Sequence, residues 1–356
     1  MSEINSTTKV LQIGREYPAD NEVQIADDIV KLLQDQMRRF YEDGKSTQLR
    51  QIHPKMNGCV KAKFIINPNL DENLRVGLFK EAKTYPAWIR FSNGETKPLP
   101  DYKKDIRGFA IKIMNVPGTK LADVETGSSN VDFILMNTKS FVASRVSNFR
   151  DMLKVVTTPK NFTTLLPKLF IMLTNIPLLK RAVKAKIKIS HPCEIDYYST
   201  VPFRFGDENR AVKYAVIPSA SNKLETPDTT SENLLRNNLV ATLNKNEIVL
   251  DFKVQFQKDA VTMPIEDPAV DWDSDYISLA TIHIPVQLFD TPEQNKFGDN
   301  LAFNTWRTLA EHQPIGNFNR VRKMIYTKMY DFRFKFNNVT HIEPTPGDDF
   351  FVNTKS

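Results

Sequence analysis

Apolar residues in this chain fall in short runs divided by turn formers, and that spacing limits the possible folds more than any other property of the sequence. Residues 60–66, 87–92, 109–114 and 132–136 are β-like, as are 201–205, 212–217, 248–257 and 279–284. Runs of this kind predict a closed or sandwiched antiparallel sheet. Helical spacing flanks and interrupts them. Val23, Ala26, Ile29, Val30, Leu33, Met37 and Phe40 predict an amphipathic helix over 20–41 that packs against the main domain. Further helices are expected over 146–156, a proline-interrupted 161–189, 231–243 and 319–332, with an irregular stretch after Pro285. The expected class is α+β, with a lead-in and helix in residues 1–45 and the principal domain in 46–356.

Composition removes several classes of function. With 356 residues, 41% hydrophobic and 25% charged, the chain can bury a large core. A net charge of +6 is too mild for a nucleic-acid signature, and no nucleic-acid motif accompanies it. Cys59 and Cys193 are too few for a disulfide framework and lack metal-ligand spacing, which fits a reducing compartment. The polar start at residues 1–10 lacks the apolar run of a secretory signal, so a cytoplasmic location is expected. Residues 165–189 are apolar at first and then basic, with Lys180, Arg181, Lys184, Lys186 and Lys188. That order fits peripheral contact with a membrane, and it fits equally a helix pair packed on the sheet with a solvated basic face.

Four stretches carry candidate chemistry: Arg50-Gln51-Ile52-His53, Ile89-Arg90-Phe91-Ser92, Asp105-Ile106-Arg107-Gly108-Phe109-Ala110 and Arg322-Lys323-Met324-Ile325-Tyr326. Alone, each is weak. A single histidine is usually a core or surface residue, and an arginine four residues before a tyrosine usually marks a solvated helix face. In this order, however, the four runs resemble the haem site of catalases, in which an Arg-x-x-His run carries the distal histidine, a Val-Arg-Phe-Ser run lines the haem and an Arg-x-x-x-Tyr run supplies a tyrosinate to the iron. The resemblance covers residues 50–338 apart from 165–189, which it leaves unmatched, and is to the compact branch of minicatalases and catalase-like allene oxide synthases.

That resemblance implies an antiparallel β-barrel with surrounding helices, and haem b buried between the barrel and a C-terminal helix bearing the tyrosine; residues 46–356 would be the haem domain. His53 would move the proton during O–O cleavage, with Ser92 fixing its tautomer. Tyr326 would ligate the iron, assisted by Arg322. Arg50, Arg90 and Arg333 match propionate-binding positions, Phe141 and Phe149 match phenylalanines beside the haem, and Asp105 matches the acidic residue of the substrate channel. Arg107 and Gly108 would serve structure.

The chain departs from the family in several places: the proximal-side histidine of many catalases has no counterpart in residues 198–205, and two further departures bear on the pocket itself. Counting back from Phe149 puts Met136 where catalases carry the catalytic asparagine, leaving Asn137 as the candidate amide only if a bulge turns it toward the iron. Gly94 stands where catalases carry a channel valine, which would widen the approach, while Ile52 keeps the bulk of the family's valine beside the histidine. The function implied is decomposition of hydrogen peroxide, of organic or fatty-acid hydroperoxides, or of both. A fatty-acid hydroperoxide isomerase or dehydrase, a haem-binding protein without turnover and a haem-free carrier of apolar ligands are the alternatives. The expected partner is a small hydroperoxide, and the sequence leaves room for a homo-oligomer.

Overall fold

A computed structural model describes residues 10–42, 47–121, 129–159, 162–340 and 343–347; the domain boundary expected at 45/46 and most of the polar start lie outside the described residues. Strand β1 (Lys55–Ile66) pairs antiparallel with β2 (Thr84–Asn93), which pairs in turn with β3 (Arg107–Ile113) and then β4 (Val131–Met136). On the other side β1 pairs with β9 (Tyr276–Ile284), then β8 (Ile248–Phe256), then β7 (Asp207–Pro218). The two-residue β5 (Tyr197–Tyr198) bonds both β4 and β7 and closes an eight-stranded antiparallel barrel, while β6 (Phe203–Phe205) extends β7.

Side chains alternate along these strands. In β8, Ile248, Leu250, Phe252 and Val254 are buried while the residues between them are half-buried. The enclosed face is packed with aromatic rings: Phe133 lies 4.9 Å from Tyr214 and 5.0 Å from Phe252, both edge to face. Each such ring contributes roughly 1.5–3 kcal/mol by leaving water.

The helices lie outside. Helix α1 (Glu22–Phe40) buries Ile25, Ala26, Ile29, Val30, Leu33 and Met37 against α7 (Asn317–Asn337) and α2 (Val146–Thr157); Val23, assigned to that face from its spacing, is 60% exposed. Arg320 joins the start of α7 to the lead-in, binding Glu16, Glu22 and Glu266 together. The segment expected as one interrupted helix is two: α3 (Phe162–Thr174) runs through Pro167, and α4 (Ile176–Ala185) begins after Asn175 with Pro177 in its first turn, where a missing N–H costs nothing. Helix α4 stops at Ala185 because Ile187 forms a β-bridge with Asp105. Helix α5 (Leu234–Leu243) packs on β1, and α6 (Pro292–Asn300), within the stretch expected to be irregular, is capped by the Thr291 hydroxyl accepting from Gln294 N–H.

Candidate active site

A cavity of about 480 Å³ lies between the outer face of the barrel and α1, α2 and α7. Arg50, His53, Arg90, Ser92, Gly94, Asp105, Phe141, Phe149, Arg322, Tyr326 and Arg333 all line it. Residues from the chain's first and last quarters thus meet in one pocket.

His53 sits just before β1 with φ +62°, a left-handed backbone that is uncommon for histidine. Arg90, on β2, holds that turn by donating from Nη2 to His53 O at 3.1 Å and to Pro54 O at 3.5 Å. The imidazole Nδ1 lies 3.1 Å from Ser92 Oγ. A Cβ on Gly108 would stand 2.5 Å from His53 Nδ1 and 2.8 Å from Ser92 Oγ, so the bare backbone of β3 makes room for this pair. Gly108 was expected only to serve structure; its role at the site has no local sequence signal beyond its place in the Asp105–Ala110 run. Burial, with Arg90, Arg50 and Arg322 nearby, lowers the His53 pKa to about 3, which keeps the ring neutral.

Three guanidinium groups gather at one end. Arg50 donates to Gly298 O at 3.4 Å and Arg333 to Asp299 O at 2.8 Å, at the carbonyl end of α6, where the helix dipole favours positive charge. Burial lowers Arg90 and Arg333 to about 10 each. Arg50 is pushed further down by burial, then by Arg90 and Arg333. Buried Arg50 Nη2, Arg90 Nε and Arg322 Nη1 find no hydrogen-bond partner among the described residues. Concentrated positive charge with unused donors suits a ligand bearing carboxylates.

Tyr326 and Arg322 share one face of α7 and line the same cavity, and the Arg322 guanidinium lies 5.6 Å from the Phe141 ring centre. Phe141 and Phe149 meet edge to face at 5.5 Å, and both contact Phe318, which the sequence reading missed. Asp105 Oδ1 accepts from Ile106 N–H at 2.7 Å, and burial raises its pKa. Thr200, also overlooked, lines the cavity with φ +59°.

Two expectations need correction. Asn137 does not line the cavity: its Oδ1 accepts from Arg107 N–H at 2.7 Å and its Nδ2 donates to Ala185 O at 2.8 Å, so the amide joins β3 to α4. Met136 lines the cavity instead, as the alternation of β4 requires. Gly94 does line the cavity, but it opens little space there. A Cβ at that position would lie 3.0 Å from Ile106 Cβ and 3.4 Å from His53 Cε1, so neighbouring side chains already fill the room.

Comparison with solved structures settles the architecture. The chain superposes on a bacterial catalase with TM-score 0.59 at 16% identity, covering 93% of this chain and 64% of that one. The fold is catalase-like. Catalase A from Saccharomyces cerevisiae gives TM-score 0.59 at 16% identity over 85% of this chain and 64% of that chain, and a fungal catalase gives 0.58 at 14% over 85% and 63%. This chain therefore spans less than two thirds of the length of the catalases it matches. No protein-family model and no curated protein matches its sequence. At such identity the shared catalase-like barrel is a statement about fold, and function has to be argued from the cavity.

Proposed function

We propose that the protein is a haem-dependent enzyme of peroxide metabolism, acting on hydrogen peroxide, organic hydroperoxides or both. One observation carries this reading: His53 with Ser92, the cluster of Arg50, Arg90 and Arg333, and Tyr326 with Arg322 all face one cavity. Haem b fits these residues. Its two propionates would supply the carboxylates that Arg50 Nη2 and Arg90 Nε lack, Phe141 would give it an apolar contact, and the Tyr326 phenol would supply an oxygen ligand to its iron. Arg322, one helical turn before Tyr326, would donate to the phenolate oxygen.

Bound haem iron would supply the Lewis-acid and redox chemistry of O–O cleavage. The chain supplies proton movement. With Nδ1 of His53 engaged by Ser92, Nε2 is free to take the proton from the inner peroxide oxygen and return it to the outer one. A ring kept neutral by burial is ready to act as the base. Asp105, whose pKa burial raises, would favour entry of neutral hydroperoxides. The buried free thiols of Cys59 and Cys193 fit action in the cytoplasm.

A second reading, turnover of a fatty-acid hydroperoxide by isomerisation or dehydration, is favoured by one feature. Ile29, Leu33 and Met37 of α1 with Met152, Leu153 and Val156 of α2 give the cavity an apolar wall suited to a hydrocarbon chain.

The test is an optical spectrum of the purified protein, followed in the same cuvette by hydrogen peroxide and then a linoleate hydroperoxide. A Soret band with rapid oxygen release supports catalase activity, and a Soret band with preferential loss of the diene absorbance supports the lipid reading. No Soret band after haem reconstitution overturns both. Tyr326→Phe should lose or shift the haem spectrum and His53→Ala should keep haem but lose turnover; normal activity in either rejects the assignment.

A further inference from the structure

Helix α3 exposes an apolar surface that barrel and cavity leave unexplained. Leu165, Leu166, Leu169, Phe170 and Leu173 are each between 50% and 73% exposed. Lys168, the one charged residue in α3, turns away to donate to Thr158 O at 2.7 Å, closing the C-terminal end of α2. Adjoining α4 exposes Ile176 and Val183, at 45% and 72%. Leaving so much hydrocarbon in water is costly, and patches of this kind mark interaction sites.

The charge beside it says what covers it. Residues 152–193 hold eight Lys or Arg and no Asp or Glu. Within this stretch Lys186 is paired with Glu95 and Arg181 donates to Val142 O at 2.8 Å, while Lys180, Lys184 and Lys188 remain exposed. Two copies meeting through this face would set lysines against lysines. A phospholipid surface with anionic headgroups satisfies both features, taking the apolar side chains below the phosphates and the ammonium groups at their level.

We propose that α3 and α4 dock this protein onto an anionic phospholipid surface. The 13 residues of α3 span about 20 Å. That is too short for a hydrocarbon core of about 30 Å, so the helix lies in the interface plane. Val156 of α2, Ala182 of α4 and Lys186 just after α4, on either side of α3 in the chain, also line the cavity. Docking therefore brings the rim of the cavity to the lipid surface. It requires no turnover and is independent of the haem assignment.

The experiment is flotation of the purified protein with phosphatidylcholine vesicles, with and without about 30% phosphatidylglycerol. Binding to the anionic vesicles should exceed binding to the neutral ones by about tenfold or more, and should weaken as salt is raised. Phe170→Ser with Leu173→Ser, and separately Lys180→Glu with Lys184→Glu and Lys188→Glu, should each lose about tenfold or more while keeping the circular dichroism and melting temperature of the parent. Absence of binding to either vesicle, equal binding to both, or unchanged binding by either folded variant overturns the proposal. So does a dimer held by Phe170 and Leu173 in place of vesicle binding.

Discussion

His53 Nδ1 and Ser92 Oγ stand 3.1 Å apart, and the contact exists because residue 108, facing both across the β2–β3 pairing, has no side chain. Gly108→Ala puts a methyl group inside contact distance of the ring. Displacing a proton-transfer group by about 1 Å costs roughly a hundredfold in rate. Under the proposed function, peroxide turnover per haem should fall by about that factor while the Soret band persists, measured by oxygen release normalised to haem content.

Arg50 should trade stability for ligand binding. Its guanidinium is buried beside Arg90 and Arg333, with one nitrogen unused. Arg50→Met removes a like charge from that cluster, so the haem-free protein should gain about 1–2 kcal/mol. If haem is the ligand, as proposed, its affinity should fall about tenfold or more as a charge-assisted hydrogen bond is lost. Denaturant titration of the apoprotein and haem titration read the two effects separately.

Gly94→Val tests whether this position sets substrate size. Its added carbons would press on Ile106 and on His53 Cε1 before they entered open space. Under the proposed function, turnover of hydrogen peroxide and of linoleate hydroperoxide should therefore fall together. Selective loss of the bulky substrate would mean that the position guards a channel, and steady-state rates on both distinguish the outcomes.

Acid should weaken the fold well before carboxylates titrate, because His191 and His312 are buried in neutral form. His191 Nδ1 accepts from Cys193 N–H and His312 Nε2 from Leu78 N–H, so the remaining ring nitrogens donate to Thr242 Oγ1 and Tyr214 Oη. Burial lowers both pKa values from 6.5 to about 4. The unfolded chain thus binds more protons than the folded one between those limits. Their contribution is fully present above about pH 6.5 and is lost as pH falls toward 4, at about 1.4 kcal/mol per pH unit for each histidine. Urea melts between pH 7 and 4.5 should show this slope, and His312→Gln should reduce it.

Much of the barrel was legible because its strands alternate or run apolar over several residues, as in 248–257 and 279–284. Helix α6 was not: of its nine residues only Gly298 is buried, so no apolar periodicity marks it, although Thr291-Pro292 is a readable helix start. That omission concealed why Arg50 and Arg333 lie together, since both bond the carbonyl end of α6. Helix α7 begins earlier than expected because Gly316, at φ +87°, and the Glu266 carboxylate accepting from Asn317 N–H fix its start; neither is a periodic signal. Eleven of the positions picked out by the resemblance to catalases line the cavity, while Asn137 does not, because one residue of register exchanges the cavity face for the opposite one.

Arg320 gives the cavity a place in the order of folding. It reaches back 304 and 298 residues to Glu16 and Glu22, which hold α1 over the pocket. Loop closures of that length come late, after neighbouring strands have paired. A chain emerging from the ribosome can zip β1 to β4 early, yet its pocket stays without a roof until residue 320 is free to bond the lead-in. The cavity is thus completed by the segments synthesised farthest apart, and whatever it holds is enclosed only when the two ends of the fold meet.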